Sequence, residues 1–475
     1  DDAPELSDLG VKPTPYLHQF SVQIVAVSSS NENEEDEDLD GGSVTAVETL
    51  FSYNLEKFER GISVGFEYIY DNEDKKLKPF LCVGTGFLTS DGNDTAGKGK
   101  IIAFSFPNSF VEFVKVSEER NAVIVGAENH SVEKGHTVCG SGVPRDTTVL
   151  DVSGNLIKLS NEISSAGNAR LTFRKSGTAV HQFTLAHFIQ FPAGVTTLGG
   201  VCTKEVPPEV SRGGGTLLAT AGRQMSMMEI RGGRLMKIGF FDLKVTVSSM
   251  NIIKNFIACS DIYNSVQFFR WNVAASEVEL LAYDPYPACV VASTFIVAKD
   301  SLQILIADAN GSIFVLQYDP HSTSGTYRTL RSVAEFHSGS RITALTTYPV
   351  NQAPRLRHVE SNVYGSIYGT CDGSFGVVVP VLDRKIFRRL IALQSFLNNA
   401  LKQNAGLNPR EYRSVHVNFT SNQVRPHSNT MLDMTLLLRY VSLDSVAQHN
   451  LARSVGTNPQ TVMESLRSLE ESIQF

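Results

Sequence analysis

The sequence of 475 residues is long enough for one large domain or for two or three smaller ones. It contains 42 Lys and Arg against 49 Asp and Glu, and the formal net charge is −7. Seven of the acids fall in one run, residues 32–40, so the rest of the chain is balanced. This balance argues against a broad basic groove for nucleic acid, although it leaves room for a small basic patch. No apolar run reaches the roughly 18 residues of a membrane-spanning helix.

Residues 1–381 are predicted to form β-structure throughout. Short runs rich in Val, Ile, Phe and Tyr alternate with turns rich in Gly, Asn, Asp and Ser. Such runs are Phe20–Val27, Phe80–Leu88, Lys100–Phe106, Asn255–Ser260 and Ser265–Trp271. Two segments interrupt the pattern. Residues 30–42 are predicted to be a solvated acidic loop, because like charges repel one another, and residues 116–174 are predicted to be a small β-rich insertion without an assigned function.

A repeat of strand, tight turn and strand recurs along this region. Its clearest copies turn at Asp261, Asp308 and Asp372, each followed closely by a Ser; the first two turns lie 47 residues apart and the third lies 64 further on. A period near 45 residues is that of a four-stranded propeller blade. The region holds about five blades. The sequence therefore predicts a seven-bladed, WD40-like β-propeller that is incomplete in this chain, and the alternative is a β-sandwich.

The start of the chain agrees with an incomplete ring. It opens with Asp1 and has neither an initiator Met nor a signal-peptide pattern. We therefore expect a fragment of a longer protein whose upstream strands complete the propeller. An open ring exposes strand edges, so we expect the chain to fold poorly by itself.

Residues 382–475 are predicted to form a helical C-terminal domain. Between residues 383 and 403, apolar residues recur at steps of three and four: Ile386, Leu390, Leu393, Leu397 and Leu401. Further helices are predicted over residues 431–440 and 443–455. Gly456 is expected to end the last of these. Thr457 is expected to cap a final helix that has Pro459 in its first turn.

The sequence contains no motif that assembles catalytic chemistry. It has no Cys-x-x-Cys pair, phosphate-binding loop, nucleophile elbow or zinc-protease motif. We therefore predict no catalytic, cofactor-binding or metal-binding residues, and no enzyme activity. The six cysteines are expected to be buried and reduced, which fits the nucleus or cytosol. The Arg-Gly runs at 212–215 and 231–234 are predicted to be β-turns, with RNA binding as the alternative.

Several motifs resemble one known family, the largest subunit of the cleavage and polyadenylation specificity factor. The similarity is strongest over residues 195–475, thinner over residues 15–110, and absent from the insertion. The residues that carry it, called the signature residues below, are Phe336, His337, Gly339, Gly406, Leu407, Asn408, Pro409, Arg410, Arg439, Tyr440, Gly456, Thr457 and Pro459.

The resemblance implies a nuclear, non-catalytic scaffold of three propellers, of which this chain would be the last together with the helical domain. In that family the subunit holds a WD-repeat subunit and a zinc-finger subunit, which recognise the AAUAAA signal, and connects them to the nuclease module. Its contact with pre-mRNA is indirect or weak. The signature residues are expected to be structural, and an interaction role for them is the alternative.

Two related functions stay open at this point. The wider family also contains the large damaged-DNA-binding adaptor of a cullin ubiquitin ligase and a splicing-factor subunit, which share the propeller and the element at Phe336 and His337. The segment 406–410 and the ending at 456–459 favour the polyadenylation subunit.

Overall fold

The structure, a computed structural model, describes residues 20–473 except 30–44, 75, 89–93, 106–108, 118–120, 126–131, 141–142, 145–146, 164–166, 175–183, 203–214, 245, 274, 276, 299–300, 321–327, 351–362, 402–411, 416–424 and 426–428. The chain divides into two compact units, residues 1–244 and residues 245–475. None of the helices within the described ranges is long and apolar enough to cross a membrane.

The described part of the first unit consists of strands. They are β1 (Ser21–Ser29), β2 (Thr45–Asn54), β3 (Glu59–Asp71), β4 (Lys76–Leu88), β5 (Asp94–Ser105), β6 (Ser109–Val116), β7 (Ala122–Val125), β8 (Thr137–Gly140), β9 (Val149–Ser153), β10 (Leu156–Leu159), β11 (Gly167–Arg174), β12 (Thr184–Phe191), β13 (Val195–Cys202), β14 (Gly215–Ala221), β15 (Gln224–Arg231) and β16 (Arg234–Asp242).

The second unit contains strands followed by helices. The strands are β17 (Val247–Ile253), β18 (Phe256–Asp261), β19 (Ser265–Asn272), β20 (Glu277–Tyr283), β21 (Val290–Ala298), β22 (Ser301–Asp308), β23 (Ser312–Tyr318), β24 (Arg328–His337), β25 (Ile342–Pro349), β26 (Tyr364–Thr370), β27 (Phe375–Val378) and β28 (Asn429–Thr430). The helices are α1 (Arg384–Ala400), α2 (Met434–Leu438), α3 (Ser445–Ser454) and α4 (Pro459–Ile473).

Two four-stranded antiparallel sheets form the body of the first unit. Sheet A has the order β3-β4-β5-β12, and sheet B has the order β13-β14-β15-β16. One apolar core lies between them and contains Ile69 and Ile101 of sheet A with Leu217 and Met228 of sheet B. The β1–β2 hairpin packs on the other face of sheet A. Each sheet therefore has the strand order of one propeller blade.

A glycine allows the close approach of the connection between these sheets. A Cβ atom at Gly99 would lie 2.2 Å from the carbonyl oxygen of Ala193. No side chain fits at that separation, so a residue with a Cβ would push strand β5 away from the turn that leads into sheet B.

The predicted insertion is a separate β module with its own core. Strands β6 and β11 pair in register from Ser109↔Arg174 to Val116↔Gly167, and β7 to β10 extend from this ribbon. Its core includes Val123, Ile157, Leu171 and Phe173, none of which belongs to the core between sheets A and B. Strands β5 and β12, on either side of the insertion, pair directly with each other.

The second unit stacks three sheets face to face. Sheet C is β17-β18-β19-β20, sheet D is β21-β22-β23-β24, and sheet E is β25-β26-β27. One core joins sheets C and D through Phe268, Phe295 and Leu316. A second core joins sheets D and E through Leu305 and Ile342. Successive sheets covering each other in this way are typical of a propeller-like fold.

The helices pack around one apolar cluster, as the spacing of their residues predicts. Leu390, Leu393 and Leu397 of α1 are fully buried against residues of α2, α3 and α4. Gly456 follows α3 with φ of +77°, which confirms the predicted stop. The final helix begins at Pro459, so its N-cap position is Asn458 rather than the predicted Thr457.

The repeat prediction is confirmed at the level of the turns, whereas the cysteine prediction is wrong in part. Asp261 and Asp308 each end the second strand of a sheet, and Asp372 lies in the β26–β27 turn. Cys82 and Cys259 are buried, and burial raises the pKa of both thiols. Cys139, Cys289 and Cys371 are exposed. Cys289 precedes strand β21 and Cys371 follows strand β26, so their apolar sequence neighbours did not decide their burial.

The chain is thus mainly β and propeller-like, with the helices at its C-terminal end. Trp271 is 3% exposed and fills core as predicted. The number of blades and the division at residue 381 stay predictions.

Sheet A is expected to persist without the insertion. Ser105 and Thr184 are ladder partners, so an Asn-Gly turn replacing residues 106–183 would join β5 to β12 as a hairpin. Since the two cores share no residue, hydrogen–deuterium exchange of the β3 and β5 peptides should stay close to that of the parent protein, whereas the start of β4 loses the pairing of Leu77 with Val111 of β6. As a control, Ile101→Ala should accelerate exchange, since deleting this buried side chain costs about 2–5 kcal/mol. Fast exchange in the shortened protein would contradict the prediction.

Candidate functional site at the end of strand β24

The signature residues that the structure describes occupy two places. Phe336 and His337 end strand β24, and Gly339 lies in the turn that follows. Arg439, Tyr440, Gly456, Thr457 and Pro459 lie among the helices. The segment Gly406 to Arg410 lies outside the described residues.

His337 belongs to a contact that recurs at the ends of neighbouring sheets. In sheet C, the Ser265 hydroxyl donates to Asp284 Oδ2 at 2.5 Å, just after strand β20. In sheet D, Ser312 Oγ lies 3.4 Å from His337 Nδ1, at the end of strand β24. His337 thus takes the place that Asp284 takes in sheet C. In both sheets the contact links the start of the third strand to the end of the fourth.

The Asp before each of these serines fixes the turn. Asp308 Oδ1 accepts from the backbone N–H groups of Asn310 at 3.0 Å and Ser312 at 2.7 Å. Burial raises the pKa of the Asp308 carboxyl, although these donors act in the opposite direction. In sheet E, hydroxyl groups of Thr370, Ser340 and Ser374 surround the solvent-exposed Asp372 and hold its pKa well below the usual range.

Arg413 joins the end of strand β24 to the helices. Its Nη1 donates to the carbonyl oxygens of His337 at 3.2 Å and Ser338 at 3.0 Å. Its Nε donates to Asp433 Oδ2 at 2.8 Å, and Asp433 Oδ1 in turn accepts from the Leu436 N–H as the N-cap of α2. The His337 N–H donates to the carbonyl oxygen of Arg413 at 3.0 Å. One guanidinium therefore connects a sheet end with a helix start.

Gly339 is required by the aromatic ring that lies over this turn. Its φ is +91°, and a Cβ atom there would lie 2.0 Å from the hydroxyl oxygen of Tyr412. The Tyr412 ring stands edge-on to the His337 ring at 6.0 Å, and the Arg413 guanidinium lies 4.8 Å from the centre of the Phe336 ring. The residues from Phe336 to Gly339 thus form one face of a contact whose other face is Tyr412 and Arg413.

A second arginine from the same C-terminal segment reaches sheet C. Arg425 forms an ion pair with Asp284, and the two side chains are 7% and 0% exposed. The guanidinium also lies 4.5 Å from the Phe314 ring of sheet D and 5.3 Å from the Tyr286 ring. Arg425 therefore binds sheets C and D together at the end where Arg413 binds sheet D to the helices.

Helix α1 contributes a side chain that supports the same junction. Gln394 Oε1 accepts from the Asp433 N–H at 2.8 Å, and its Nε2 donates to the Met431 carbonyl oxygen at 3.2 Å. Nearby, Asn429 and Thr430 pair in parallel with Ala334 and Glu335 of strand β24. The junction therefore has hydrogen bonds from a strand, a loop and two helices.

The helical signature residues divide into buried and exposed ones. Tyr440 is fully buried; its hydroxyl donates to the Gln448 carbonyl oxygen at 3.0 Å, and Gln448 Nε2 donates back to the Tyr440 carbonyl oxygen at 3.1 Å. The side chain of Arg439 is exposed. Tyr440 and Gly456 thus have structural roles, since each fixes the path of the chain at a helix end.

Sequence reasoning missed Asp284, Gln394 and Arg425. Asp284 and Arg425 are 141 residues apart, and neither lies in a motif or a periodic run. Tyr412 and Arg413 follow closely on the signature segment 406–410, but nothing in the sequence indicated that they would contact Gly339 or its turn. In the described parts of the chain, no group of three or more His, Cys, Asp or Glu side chains could hold a metal ion.

Gly339→Ala should loosen the junction more than Gly373→Ala loosens its own turn. Gly373 has a similar φ of +83° but nothing within 4 Å of a built Cβ, so it measures the backbone strain alone, about 1–2 kcal/mol. At Gly339 the overlap with Tyr412 adds to that strain. Hydrogen–deuterium exchange of peptides covering residues 334–340 and 412–415 is the measurement. If Gly339→Ala and Gly373→Ala accelerated exchange equally in the peptides around their respective β-turns, the contact between Tyr412 and Gly339 would not matter for stability, and the prediction would be wrong.

Arg425→Met should destabilise the second unit by about 3–5 kcal/mol, because it leaves the Asp284 carboxylate buried without its partner. The double variant Arg425→Met with Asp284→Asn should recover most of this loss, since no unpaired charge remains. Chemical denaturation monitored by exchange of the sheet C and sheet D peptides compares the variants. Arg270→Met is the control, since Arg270 forms a solvent-exposed pair with Glu279 and such pairs contribute about 0–1 kcal/mol.

Comparison with known proteins shows where this architecture occurs. The family model described as the CPSF A subunit region matches residues 201–442, which include sheets C, D and E and the junction. The probable cleavage and polyadenylation specificity factor subunit 1 of Oryza sativa subsp. japonica is 29% identical over 262 residues, and subunit 1 of Arabidopsis thaliana is 32% identical over 268 residues. Protein cft1 of Schizosaccharomyces pombe is 27% identical over 267 residues.

The alignments cover 55% of this chain and 18% of the length of each of these three relatives. The chain thus corresponds to about a fifth of a relative's length. The matched range leaves out residues 1–200, which contain the predicted insertion. Since the family model matches half of the chain, and the matched part contains the sheets and the junction, this chain belongs to the CPSF A subunit region family.

Proposed function

We propose that this chain is part of a non-catalytic scaffold subunit of the pre-mRNA 3′-end cleavage and polyadenylation machinery. The observation that carries the proposal is the family match over residues 201–442, together with relatives from plants, an insect and fungi that are named as subunit 1 of the cleavage and polyadenylation specificity factor or as Cft1. The subunit organises the proteins that recognise the AAUAAA signal. It acts in the nucleus, where this processing takes place.

The architecture supports a display role. Residues 1–381 belong to a seven-bladed WD40-like propeller, and residues 382–475 form a helical domain. Sheets that cover each other face to face make a rigid body, and the loops and outer strands of such a body are free to contact other proteins.

The partners are other subunits of the machinery. They are a WD-repeat subunit, a zinc-finger subunit and subunits of the nuclease module, and contact with pre-mRNA is indirect or weak. The balanced charge outside residues 32–40 supports protein partners over an RNA groove. The junction supports the non-catalytic role, since its charged side chains already pair with one another and with backbone groups.

Affinity purification of the tagged, intact subunit from nuclear extract tests the proposal. We expect the poly(A)-signal-recognition subunits and the nuclease to be recovered. An extract depleted of the subunit should lose cleavage of an AAUAAA substrate and regain it when the purified complex is added back. A substrate with a mutated signal is the control. Recovery of cullin-ligase or splicing components without polyadenylation subunits would contradict the proposal.

A further inference from the structure

The outer strand of sheet B has a free edge. Strand β16 pairs with β15 along one side, and no strand of the described chain pairs with its other side. The hairpin turn is tight, since Gly232 and Gly233 have φ of +61° and +66° and Arg231 pairs with Arg234. The edge is nine residues long and contains no Pro. A strand edge that carries no ladder is a template for another strand.

Exposed apolar side chains stand on both faces of this edge. Met236 is 51% exposed and Phe240 is 57% exposed. A register shift between Met227 and Met228 places Lys237 and Phe240 on the same face, where the Lys237 ammonium lies 4.9 Å from the centre of the Phe240 ring. Because side chains alternate along a strand, a strand added to this edge would contact Phe240 from one face and Met236 from the other.

The edge is basic in a chain that is acidic. Residues 223–244 contain five Lys and Arg against two Asp and Glu, a net charge of +3, whereas the whole chain has −7. The five basic side chains are exposed: Arg223, Arg231, Arg234, Lys237 and Lys244. Of the two acids, Glu229 already accepts from Thr216 and Arg231. The surface therefore favours a negatively charged partner and disfavours a second copy of itself.

A small depression continues this surface at the end of β16. Its volume is about 470 Å³, and it is lined mainly by apolar atoms of Pro192, Ala193, Ala221 and Leu243. The Lys237 side chain lies near the depression. Its ammonium donates to Oε1 of Gln224, a lining residue, at 2.7 Å and lies 5.9 Å from the centre of the Phe191 ring. Partial burial lowers the pKa of Lys237, and a carboxylate placed there would offset the lost hydration.

We propose that the free edge of β16 binds an extended acidic segment of a partner protein, which adds a fifth strand to sheet B. The edge backbone provides the hydrogen bonds, Lys237 and Arg234 pair with carboxylates, and Phe240, Met236 and the depression receive the apolar side chains between them. This is strand addition to a sheet edge, with side-chain contacts that select the sequence. It rests on the geometry of sheet B and does not depend on the proposed function.

RNA is the competing ligand for a basic surface with an exposed aromatic ring. Bases would stack on Phe240 and phosphates would contact the basic side chains. The strand edge favours a polypeptide, because only a polypeptide supplies donors and acceptors with the spacing of a β ladder, and because the Lys237 ammonium already covers part of the Phe240 ring.

Fluorescence anisotropy with the intact subunit tests the proposal. The probe is a fluorescein-labelled ten-residue peptide of repeated Val-Val-Glu-Glu, which presents both kinds of side chain on each face, compared with the same peptide carrying Lys in place of Glu. We expect the Glu peptide to bind and the Lys peptide to fail. N-methylation of alternate residues along one edge of the Glu peptide should abolish binding, while N-methylation along the other edge should leave it intact, since only one edge faces β16.

The variants locate the site. Lys237→Glu and Phe240→Ser should each weaken the Kd of the Glu peptide by about tenfold, the loss expected of a central interface residue. Lys115→Glu and Phe375→Ser are matched controls on exposed positions elsewhere and should change the Kd by less than about twofold. An unchanged thermal unfolding curve shows that each variant is folded.

Three results would overturn the proposal. The first is equal binding of the Glu and Lys peptides. The second is indifference to N-methylation on either edge. The third is that a ten-residue uridine oligonucleotide binds more tightly than the Glu peptide and that Lys237→Glu and Phe240→Ser each abolish its binding. This result would assign the surface to RNA.

Discussion

The structure depends on sheets that are apolar on both faces and must therefore be covered on both. In sheet D, Ile304 and Ile306 face sheet C, whereas the intervening Leu305 and Ala307 face sheet E. Each buried aliphatic side chain contributes about 1.5–3 kcal/mol, and a single sheet in water would lose this contribution on both faces. The stacking of successive sheets follows from this constraint, and so does the position of polar contacts at the strand ends, where the apolar cores stop.

Arg413 and Arg425 hold these strand ends to the C-terminal segment. Both pair their guanidinium groups with a carboxylate and lie against aromatic rings, although Nη1 of Arg425 is buried without a hydrogen-bond partner among the described residues. The apolar cores bring sheets together without selecting one register, because burial is not directional. The arginine contacts are directional, and they assign the helices to one position on sheet D. The junction therefore fixes how the sheets and helices of the second unit assemble.

Much of the local structure could be predicted from alternation and spacing. The strands around Phe80–Leu88 and Ser265–Trp271, the α1 stripe and the stop at Gly456 all follow from rules that act within one element. The exposure of Cys289 and Cys371 could not, since both lie just outside a strand and their apolar sequence neighbours do not record what covers them in space. The last helix begins at Pro459, which puts Asn458 rather than Thr457 at the N-cap position, and both residue types favour that position.

The sequence by itself determined that the chain is mainly β, that helical periodicity lies near its C-terminal end, and which family it belongs to, because these depend on local patterns and motifs. Only the tertiary structure showed which contacts the motif residues make. Gly339 needs no Cβ because Tyr412 lies over it, and Asp284 needs Arg425 from 141 residues away. Such pairs are made by sheets and loops meeting in space, and the strength of a charge pair depends on burial, which no linear pattern records.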